Sequence, residues 1–183
     1  ASRREDKSER GVGRGGGGIG PGRRLADDGK RKFFAMDVAL VHELVKRVRG
    51  PGRGGNAVGP ETLIGRPTMA FFGFTYCPDV CPTTLSDISG WLDDLGDEAD
   101  EMNVVFITVD PERDTVDAMS EYVGYFHPAI RGWTGTDEEI AKAVRGFRAS
   151  YERVPTEGGG YTMNHTASVF LFDAAGRFVT MID

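Results

Sequence analysis

The sequence predicts an α/β fold in which helices flank a central sheet. Two continuous apolar runs of strand type, at residues 69–74 and 103–109, are each followed by helix-like periodicity. An unbroken apolar run is typical of a central strand covered on both faces. Two further apolar runs, at 169–172 and 178–182, are separated by a short turn and predict a closing hairpin. Strands that alternate with helices before a final hairpin indicate layered α/β packing.

The composition changes sharply near residue 60, which divides the chain into two parts. Residues 1–60 hold 14 Lys and Arg against 7 Asp and Glu, a balance of +7, and 14 of the 26 glycines. Residues 61–183 hold 8 basic against 21 acidic residues, a balance of −13. We therefore expect one domain of ordinary size at 61–183, preceded by an arm of different character.

The arm itself has two segments. Residues 1–32 are rich in glycine and arginine and almost free of large apolar side chains, which predicts a flexible arm. RNA binding is the alternative, but no aromatic side chains are interleaved for bases to stack on, so we expect no nucleic-acid partner. Residues 33–49 show helical periodicity that ends at Gly50-Pro51, and they predict an amphipathic surface helix too short and too charged to cross a bilayer. A helix lying on a membrane surface is the alternative.

The domain is predicted to contain three helices between its strands. The first begins near Pro82 and carries an acidic outer face, the second covers 116–126, and the third covers 137–151 with Asp137 as its cap. A short strand is expected at 130–134, between the second and third helices. His165 is expected in the loop that enters the closing hairpin.

Both cysteines of the chain lie in the turn between the first strand and the first helix. If residues 77–81 form about one helical turn, Cys77 and Cys81 share a face with Cα atoms roughly 6 Å apart. That distance lies within the range of about 4.4–6.8 Å that a disulfide needs. The same pair, when reduced, could bind one metal ion, and a helix N-terminus favours the thiolate. Structural zinc is disfavoured because only two cysteines exist, and two buried structural cysteines are the remaining alternative.

The three histidines are not equivalent candidates for a third metal ligand. His42 belongs to the arm, where a solvent-facing role is the default. His127 precedes Pro128 and follows a helix, which indicates a surface or capping histidine. His165 follows Gly158-Gly159-Gly160 in a loop, and the residues alone leave its role open.

Four motifs stand out in the domain: FFGFTYCPDVCPTTL at 71–85, VDPERDT at 109–115, GWTGT at 132–136 and NHTASVFLFD at 164–173. Together they resemble the Sco/SenC family, whose members are copper-binding thioredoxin-fold proteins that help to assemble cytochrome c oxidase. The resemblance covers about residues 61–183 and implies a thioredoxin-like sheet. It also implies that Cys77, Cys81 and His165 bind one copper ion, Cu(I) or Cu(II).

The sequence departs from this family at both ends. Members carry a membrane tether and a β-hairpin before the domain, whereas the arm at 1–60 matches little of either. Members also continue into a C-terminal helix, so we expect that the sequence is truncated after Asp183 and that this helix is missing. The resemblance implies a location at the bacterial cell membrane on its outer face, or at the mitochondrial inner membrane facing the intermembrane space.

Charged residues beside the cysteine turn have more than one interpretation. We expect Asp110, Arg113 and Asp114 to cap the helix that begins after Thr115 and to pair with each other. A role beside the metal site or in docking is the alternative. Tyr76 and Asp79 flank the cysteines and are candidates for tuning the site or for contacting a partner.

Two functions from different classes remain. The first is a copper metallochaperone that delivers its ion to the copper-receiving subunit of cytochrome c oxidase. Other copper or thiol-redox proteins are further expected partners. The second is a thiol–disulfide oxidoreductase that uses Cys77 and Cys81 as its reacting thiols. Only the second would be an enzyme. The copper role requires His165, whereas dithiol exchange does not. A peroxiredoxin-type peroxidase is a distant third, because Phe74 stands where a threonine would be needed.

Overall fold

A computed structural model describes residues 48–49, 57–58 and 60–183, with side chains from residue 61 onward. Five strands form the central sheet: β3 (Thr68–Gly73), β4 (Asn103–Thr108), β5 (Ile130–Trp133), β8 (Val169–Phe172) and β9 (Phe178–Ile182). Their order in the sheet is β5-β4-β3-β8-β9. The three strands β3, β4 and β5 are parallel to one another, and β8 and β9 add to the other edge in antiparallel fashion. The predicted α/β layering is confirmed.

The two faces of the sheet are covered by different side chains because successive residues of a strand point in opposite directions. On one face Phe71 of β3 stacks on Phe106 of β4, with ring centroids 5.8 Å apart. On the other face Phe72 packs edge-on against Phe147, 5.1 Å away. All six residues of β3 are buried, as expected for a strand in the middle of a sheet covered on both sides.

Three α-helices connect and cover the strands. They are α1 (Val80–Leu95), α2 (Val116–Val123) and α3 (Asp137–Gly146), with 3₁₀ turns at Pro60–Leu63 and Gly96–Glu101. In α1, Cys81, Leu85, Ile88 and Leu92 are buried at spacings of four, three and four, which is the apolar stripe of a helix packed on a core. The helix that the sequence predicts after the cysteine turn is therefore present.

Two of the helix ends differ from the sequence-based expectation. The predicted cap Asp137 is wrong: Thr136 caps α3, its hydroxyl accepting from the Glu139 N–H while its own N–H donates to the Glu139 carboxylate. A threonine and a glutamate three residues apart satisfy two free N–H groups at once. Likewise, Thr115 caps α2 by accepting from the Ala118 N–H, so residues 110–114 are free for other contacts.

A second, two-stranded sheet was missed by sequence reasoning. The third helix ends at Gly146 rather than near residue 151, and Arg148 has a positive φ of 52° that turns the chain out of the helix. The next residues form β6 (Tyr151–Pro155), which pairs antiparallel with β7 (Tyr161–His165) across a glycine-rich turn. His165 therefore ends a strand and does not lie in an irregular loop.

The arm lies almost wholly outside the described residues. The predicted flexible segment at 1–32 and residues 33–47 of the predicted amphipathic helix cannot be compared with the structure, and the domain boundary at 60 stays a prediction. For the last two residues of that helix the prediction is wrong, because they form strand β1 (Val48–Arg49), which pairs with β2 (Ala57–Val58). A β-branched residue followed by Gly50-Pro51 favours extended backbone over helix. Within the described ranges, no helix has the length and apolar character to cross a bilayer.

Candidate metal centre

The turn from β3 into α1 brings the two cysteines to the N-terminal end of a helix. The Cys77 N–H donates to the Phe74 carbonyl at 3.2 Å, which closes the turn. Cys81 lies in the first turn of α1, and its N–H donates to the Cys77 sulfur at 3.4 Å. Cys77 itself precedes α1, in a turn whose backbone is not helical, so the two residues do not share one helical turn as the sequence suggested. Their sulfurs nevertheless lie within 4.8 Å of each other, at the N-terminal end of the helix.

The two thiols differ in their access to solvent. Cys81 is fully buried at 0% exposure, whereas Cys77 is 8% exposed at the rim. Burial, followed by a hydrogen bond with Cys77, raises the pKa of the Cys81 thiol far above its ordinary value. Without a metal, Cys81 is therefore a protonated thiol.

The Cys81 sulfur has room only because residue 73 has no side chain. A Cβ built on Gly73 would lie 2.7 Å from Cys81 Sγ and 2.6 Å from Cε2 of Phe106. Both distances are too short for nonbonded carbon and sulfur atoms. The glycine at the end of β3 thus lets the first turn of α1 approach the sheet.

Replacing Gly73 by alanine is expected to destabilise the fold by about 1–3 kcal/mol, the usual cost of overpacking a core. Urea unfolding of the reduced protein measures this. Gly90→Ala is the matched control, because a Cβ on Gly90 meets nothing within 4 Å and alanine favours a helix interior. Equal free energies of unfolding for wild type and Gly73→Ala would show that the sulfur does not need this space.

His165 completes a cluster with the two cysteines, although it stands 84 residues after Cys81. Its Nε2 lies 3.4 Å from Cys81 Sγ, and its Nδ1 lies 2.9 Å from the Thr166 carbonyl oxygen. Since a carbonyl can only accept, Nδ1 carries the ring hydrogen and Nε2 presents its lone pair to the sulfur. The rings of Phe71 and Phe74 pack edge-on against the imidazole at 6.2 and 5.9 Å.

The three side chains form a compact set of donor atoms. The Cys77 and Cys81 sulfurs and the imidazole nitrogen of His165 all lie within 4.8 Å of one another. Burial lowers the pKa of His165, which keeps the ring neutral and its Nε2 available. Two soft sulfur ligands with one imidazole suit Cu(I) and tolerate Cu(II), whereas structural zinc usually has four protein ligands.

The other histidines have different fates. His127 has a local structural role: its Nδ1 accepts from the Ala129 N–H at 3.1 Å, and its backbone N–H donates to Ser89. Its Nε2 lies 3.7 Å from an Asp93 carboxylate oxygen. None of these described contacts of His127 is with a cysteine. The sequence indicated a surface or capping histidine here, and this local role agrees. His42 lies outside the described residues.

Residues 110–114 make contacts that the sequence suggested only in part. Arg113 and Asp110 form the expected ion pair. The buried Asp114 does not cap α2; it accepts from the Thr75 N–H and hydroxyl and from the Thr108 hydroxyl. Sequence reasoning missed Thr75, Thr108 and Tyr161 as neighbours of this loop, because no local spacing relates them to it.

The flanking residues Tyr76 and Asp79 lie at the surface. Tyr76 is 65% exposed, and its ring centroid is 4.7 Å from the Arg113 guanidinium carbon. Asp79 precedes α1 and makes no side-chain capping hydrogen bond. Tyr76 therefore joins the cysteine turn to Arg113, and Asp79 faces solvent.

Comparison with known proteins gives consistent matches over the described domain. The SCO1/SenC family model matches residues 51–183. The mitochondrial SCO1 homolog 1 of Arabidopsis thaliana is 38% identical over 120 residues, which are 65% of this chain and 36% of that protein. The chain spans between 36% and 59% of the length of the curated relatives it matches.

Two solved structures are close in both sequence and fold. Bradyrhizobium japonicum ScoI with copper bound is 45% identical with a TM-score of 0.71, and the match covers 75% of this chain and 86% of that one. Yeast Sco1 with copper bound is 32% identical with a TM-score of 0.67, covering 74% and 76%. The predicted thioredoxin-like sheet flanked by helices is confirmed by these neighbours.

Proposed function

Because this chain belongs to the SCO1/SenC family, we propose that it is a copper metallochaperone. It binds one copper ion through Cys77, Cys81 and His165 and delivers the ion to cytochrome c oxidase during assembly. The observation that carries the proposal is the approach of two sulfurs and one imidazole nitrogen to within 4.8 Å. The copper in the Bradyrhizobium and yeast structures supports it.

Copper is the cargo, and the site has the features that transfer requires. Three ligands leave the coordination shell open, so that a thiol of the receiving protein can join before a thiol of the donor leaves. Cys77 stands at the rim beside the exposed side chains of Tyr76 and Val80, where an incoming ligand can reach it. The domain carries an excess of acidic residues, which favours a receiving surface that is basic.

The alternative function uses the same thiols for electron transfer. In that reaction the rim thiolate of Cys77 attacks a partner disulfide, forming a mixed disulfide and releasing one partner thiolate. The Cys81 thiol then attacks the Cys77 sulfur as its proton passes to the departing partner sulfur, which leaves a Cys77–Cys81 disulfide and a second reduced thiol on the partner. An external dithiol must reduce the pair again. The closeness of the two sulfurs, which lie within 4.8 Å of each other, favours this candidate, which would make the protein an enzyme.

Replacing His165 by alanine separates the two functions. We expect Cu(I) affinity to fall at least about tenfold, because one of three ligands is lost while two thiolates remain. The rate of disulfide reduction by the reduced protein is expected to stay within about twofold, since the imidazole takes no part in dithiol exchange. Chelator competition measures the affinity, and a disulfide substrate measures the rate.

His127→Ala is the matched control, because it removes an imidazole whose contacts are with the Ala129 N–H and the Asp93 carboxylate, outside the cysteine turn. It is expected to leave both quantities unchanged. Copper affinity that is unchanged in His165→Ala would remove His165 from the metal site. Negligible copper binding by wild type, together with fast disulfide reduction, would favour the oxidoreductase.

We also propose a location at a membrane, on the periplasmic side in a bacterium or in the mitochondrial intermembrane space. Support comes from the Arabidopsis relative, which is named as mitochondrial, and from the family resemblance. Any tether would lie outside the described domain. Fractionation of cells that express the tagged full-length protein tests this.

A further inference from the structure

The three proposed ligands come from two parts of the fold that are not joined by strand pairing. Cys77 and Cys81 follow β3 of the central sheet, whereas His165 ends β7, whose partner among the described strands is β6. We propose that residues 110–114, called the bridging loop, hold the β6–β7 hairpin against the cysteine turn, with Arg113 as the positioning residue for His165. The inference rests on the proposed function, because it concerns the affinity of the same three-ligand site.

One end of the bridging loop is fastened to the cysteine turn. The Asp114 carboxylate accepts from the Thr75 N–H at 3.0 Å and from the Thr75 hydroxyl at 2.6 Å. Thr75 stands two residues before Cys77. Oδ2 of Asp114, which accepts from the Thr75 N–H, also accepts from the Thr108 hydroxyl at 2.6 Å and so joins the contact to the end of β4. Asp114 therefore holds this end of the loop on the turn that carries the cysteines, through bonds that do not involve Arg113.

The other half of the bridging loop is fastened to the hairpin. The Tyr161 hydroxyl donates to Asp110 Oδ1 at 2.9 Å, and Arg113 Nη1 donates to the Tyr161 carbonyl at 3.2 Å. Asp110 is 3% exposed and also pairs with Arg113. Tyr161 begins β7 and His165 ends it, so contacts at Tyr161 set the direction of the strand that carries the imidazole.

The Arg113 guanidinium contacts both parts at once. Its central carbon lies 3.9 Å from the Tyr161 ring centroid and 4.7 Å from that of Tyr76, the residue before Cys77. It also lies 5.8 Å from the Phe74 ring, which packs against His165. The Arg113 side chain is only 22% exposed, so these contacts are less screened than those of a surface pair.

Arginine is required at this position by its shape as well as its charge. A flat guanidinium can stack on two rings and donate in two directions, whereas a lysine ammonium is a compact charge with no face to stack. Arg153 and Glu112 extend the same contact outward: Arg153 lies 3.4 Å from the Tyr161 centroid and pairs with Glu112 of the loop at 2.8 Å. We call the simultaneous contact of Arg113 with the Tyr76 and Tyr161 rings the clamp. Arg113→Lys keeps the charge but removes this contact.

The test compares copper affinity with the redox potential of the cysteine pair. Arg113→Lys is expected to lower Cu(I) affinity about tenfold, the size of effect seen when groups that orient metal ligands are changed. The midpoint potential of the Cys77–Cys81 couple is expected to stay unchanged, because both sulfurs lie on one continuous segment. A loss of general stability would not divide the two readouts in this way.

Three further variants make the test specific. Arg177→Lys is the matched control, since Arg177 forms an exposed pair with Asp173 in the distant closing hairpin, and it should leave both readouts unchanged. In a His165→Ala background, Arg113→Lys should cause no further loss of affinity, because the clamp acts through His165. Asp110→Asn keeps the size of the side chain and should also weaken copper binding. It serves as the test variant if Arg113→Lys does not fold.

Copper affinity equal to that of wild type in Arg113→Lys would overturn the proposal. It would also be overturned if adding Arg113→Lys to His165→Ala lowered the affinity by a further tenfold. A midpoint shift that accompanies the loss would also overturn it, since the cysteine turn itself would then be disturbed. A wild-type chain that binds no copper would overturn the proposed function, and this inference with it.

Discussion

Replacing Cys81 by serine is expected to lower Cu(I) affinity roughly 100-fold or more while the chain stays folded. By analogy, four-ligand structural zinc sites contribute about 10–16 kcal/mol, or about 2.5–4 kcal/mol for each ligand, and each 1.4 kcal/mol is a factor of ten. A serine hydroxyl stays protonated and is a poor ligand for a soft ion, but it fits the space of the thiol. Competition with a Cu(I)-specific chelator, using reduced protein, measures the loss.

The matched control is Met119→Leu, which changes another buried sulfur-containing side chain, in α2 against Gly132, and should leave copper affinity unchanged. Cys77→Ser should lose affinity to a similar degree, because the set needs both thiolates. Both cysteine variants also lose dithiol exchange. A Cys81→Ser protein that binds Cu(I) like wild type would show that the buried sulfur is not a ligand.

Replacing Asp114 by alanine is expected to lower the free energy of unfolding by about 3–5 kcal/mol. The carboxylate accepts three hydrogen bonds from Thr75 and Thr108, and each buried donor left without a partner costs about 1–3 kcal/mol. This is a large part of the 5–15 kcal/mol typical of a domain. Urea unfolding measures it, with Asp87→Ala on the exposed face of α1 as a control that should stay within about 0.5 kcal/mol.

The pH dependence of the same site has a defined sign. Burial raises the pKa of the Asp114 carboxyl above its ordinary value of 3.8, although three hydrogen bonds oppose the shift. The folded chain therefore binds this proton more tightly than the unfolded chain, and the associated stability is complete below pH 3.8 and is lost as the pH rises through the raised pKa.

The difference in free energy of unfolding between wild type and Asp114→Asn should consequently decrease as the pH rises from 3.8 through the raised pKa of Asp114. Unfolding of both proteins from about pH 3 upward measures the difference, and the other titrating groups cancel because the two chains share them. An advantage that grows with pH would contradict burial as the dominant influence on this carboxyl.

Most of the central sheet could be read from the chain because its signals are local. The apolar runs before Cys77 and before Asp110 lie in β3 and β4, and the closing hairpin lies at β8 and β9. The periodicity of α1 depends on residues three and four apart, which are neighbours in any helix. Boundaries were less accurate. The cap of α3 could have been predicted from the spacing of Thr136 and Glu139, which the choice of Asp137 overlooked. The positive φ of Arg148, which turns the chain out of α3, is a backbone conformation that composition barely encodes.

The β6–β7 hairpin was harder to predict because its strands are half exposed and lack a clear apolar pattern. Its place therefore depends on contacts from other elements. The polar residues of the bridging loop show the same difficulty: their types were noticed, but their partners Thr75 and Tyr161 are distant in the chain.

Sequence reasoning thus predicted that the two cysteine sulfurs lie close together, but the predicted route through one helical turn was wrong, because Cys77 lies in the turn before α1. Motif resemblance added His165 as a candidate, but no spacing rule relates an imidazole to a thiol 84 positions earlier. The folded chain alone decides that distance of 3.4 Å, because it results from the packing of a separate hairpin on the sheet and from the side chains that hold it there.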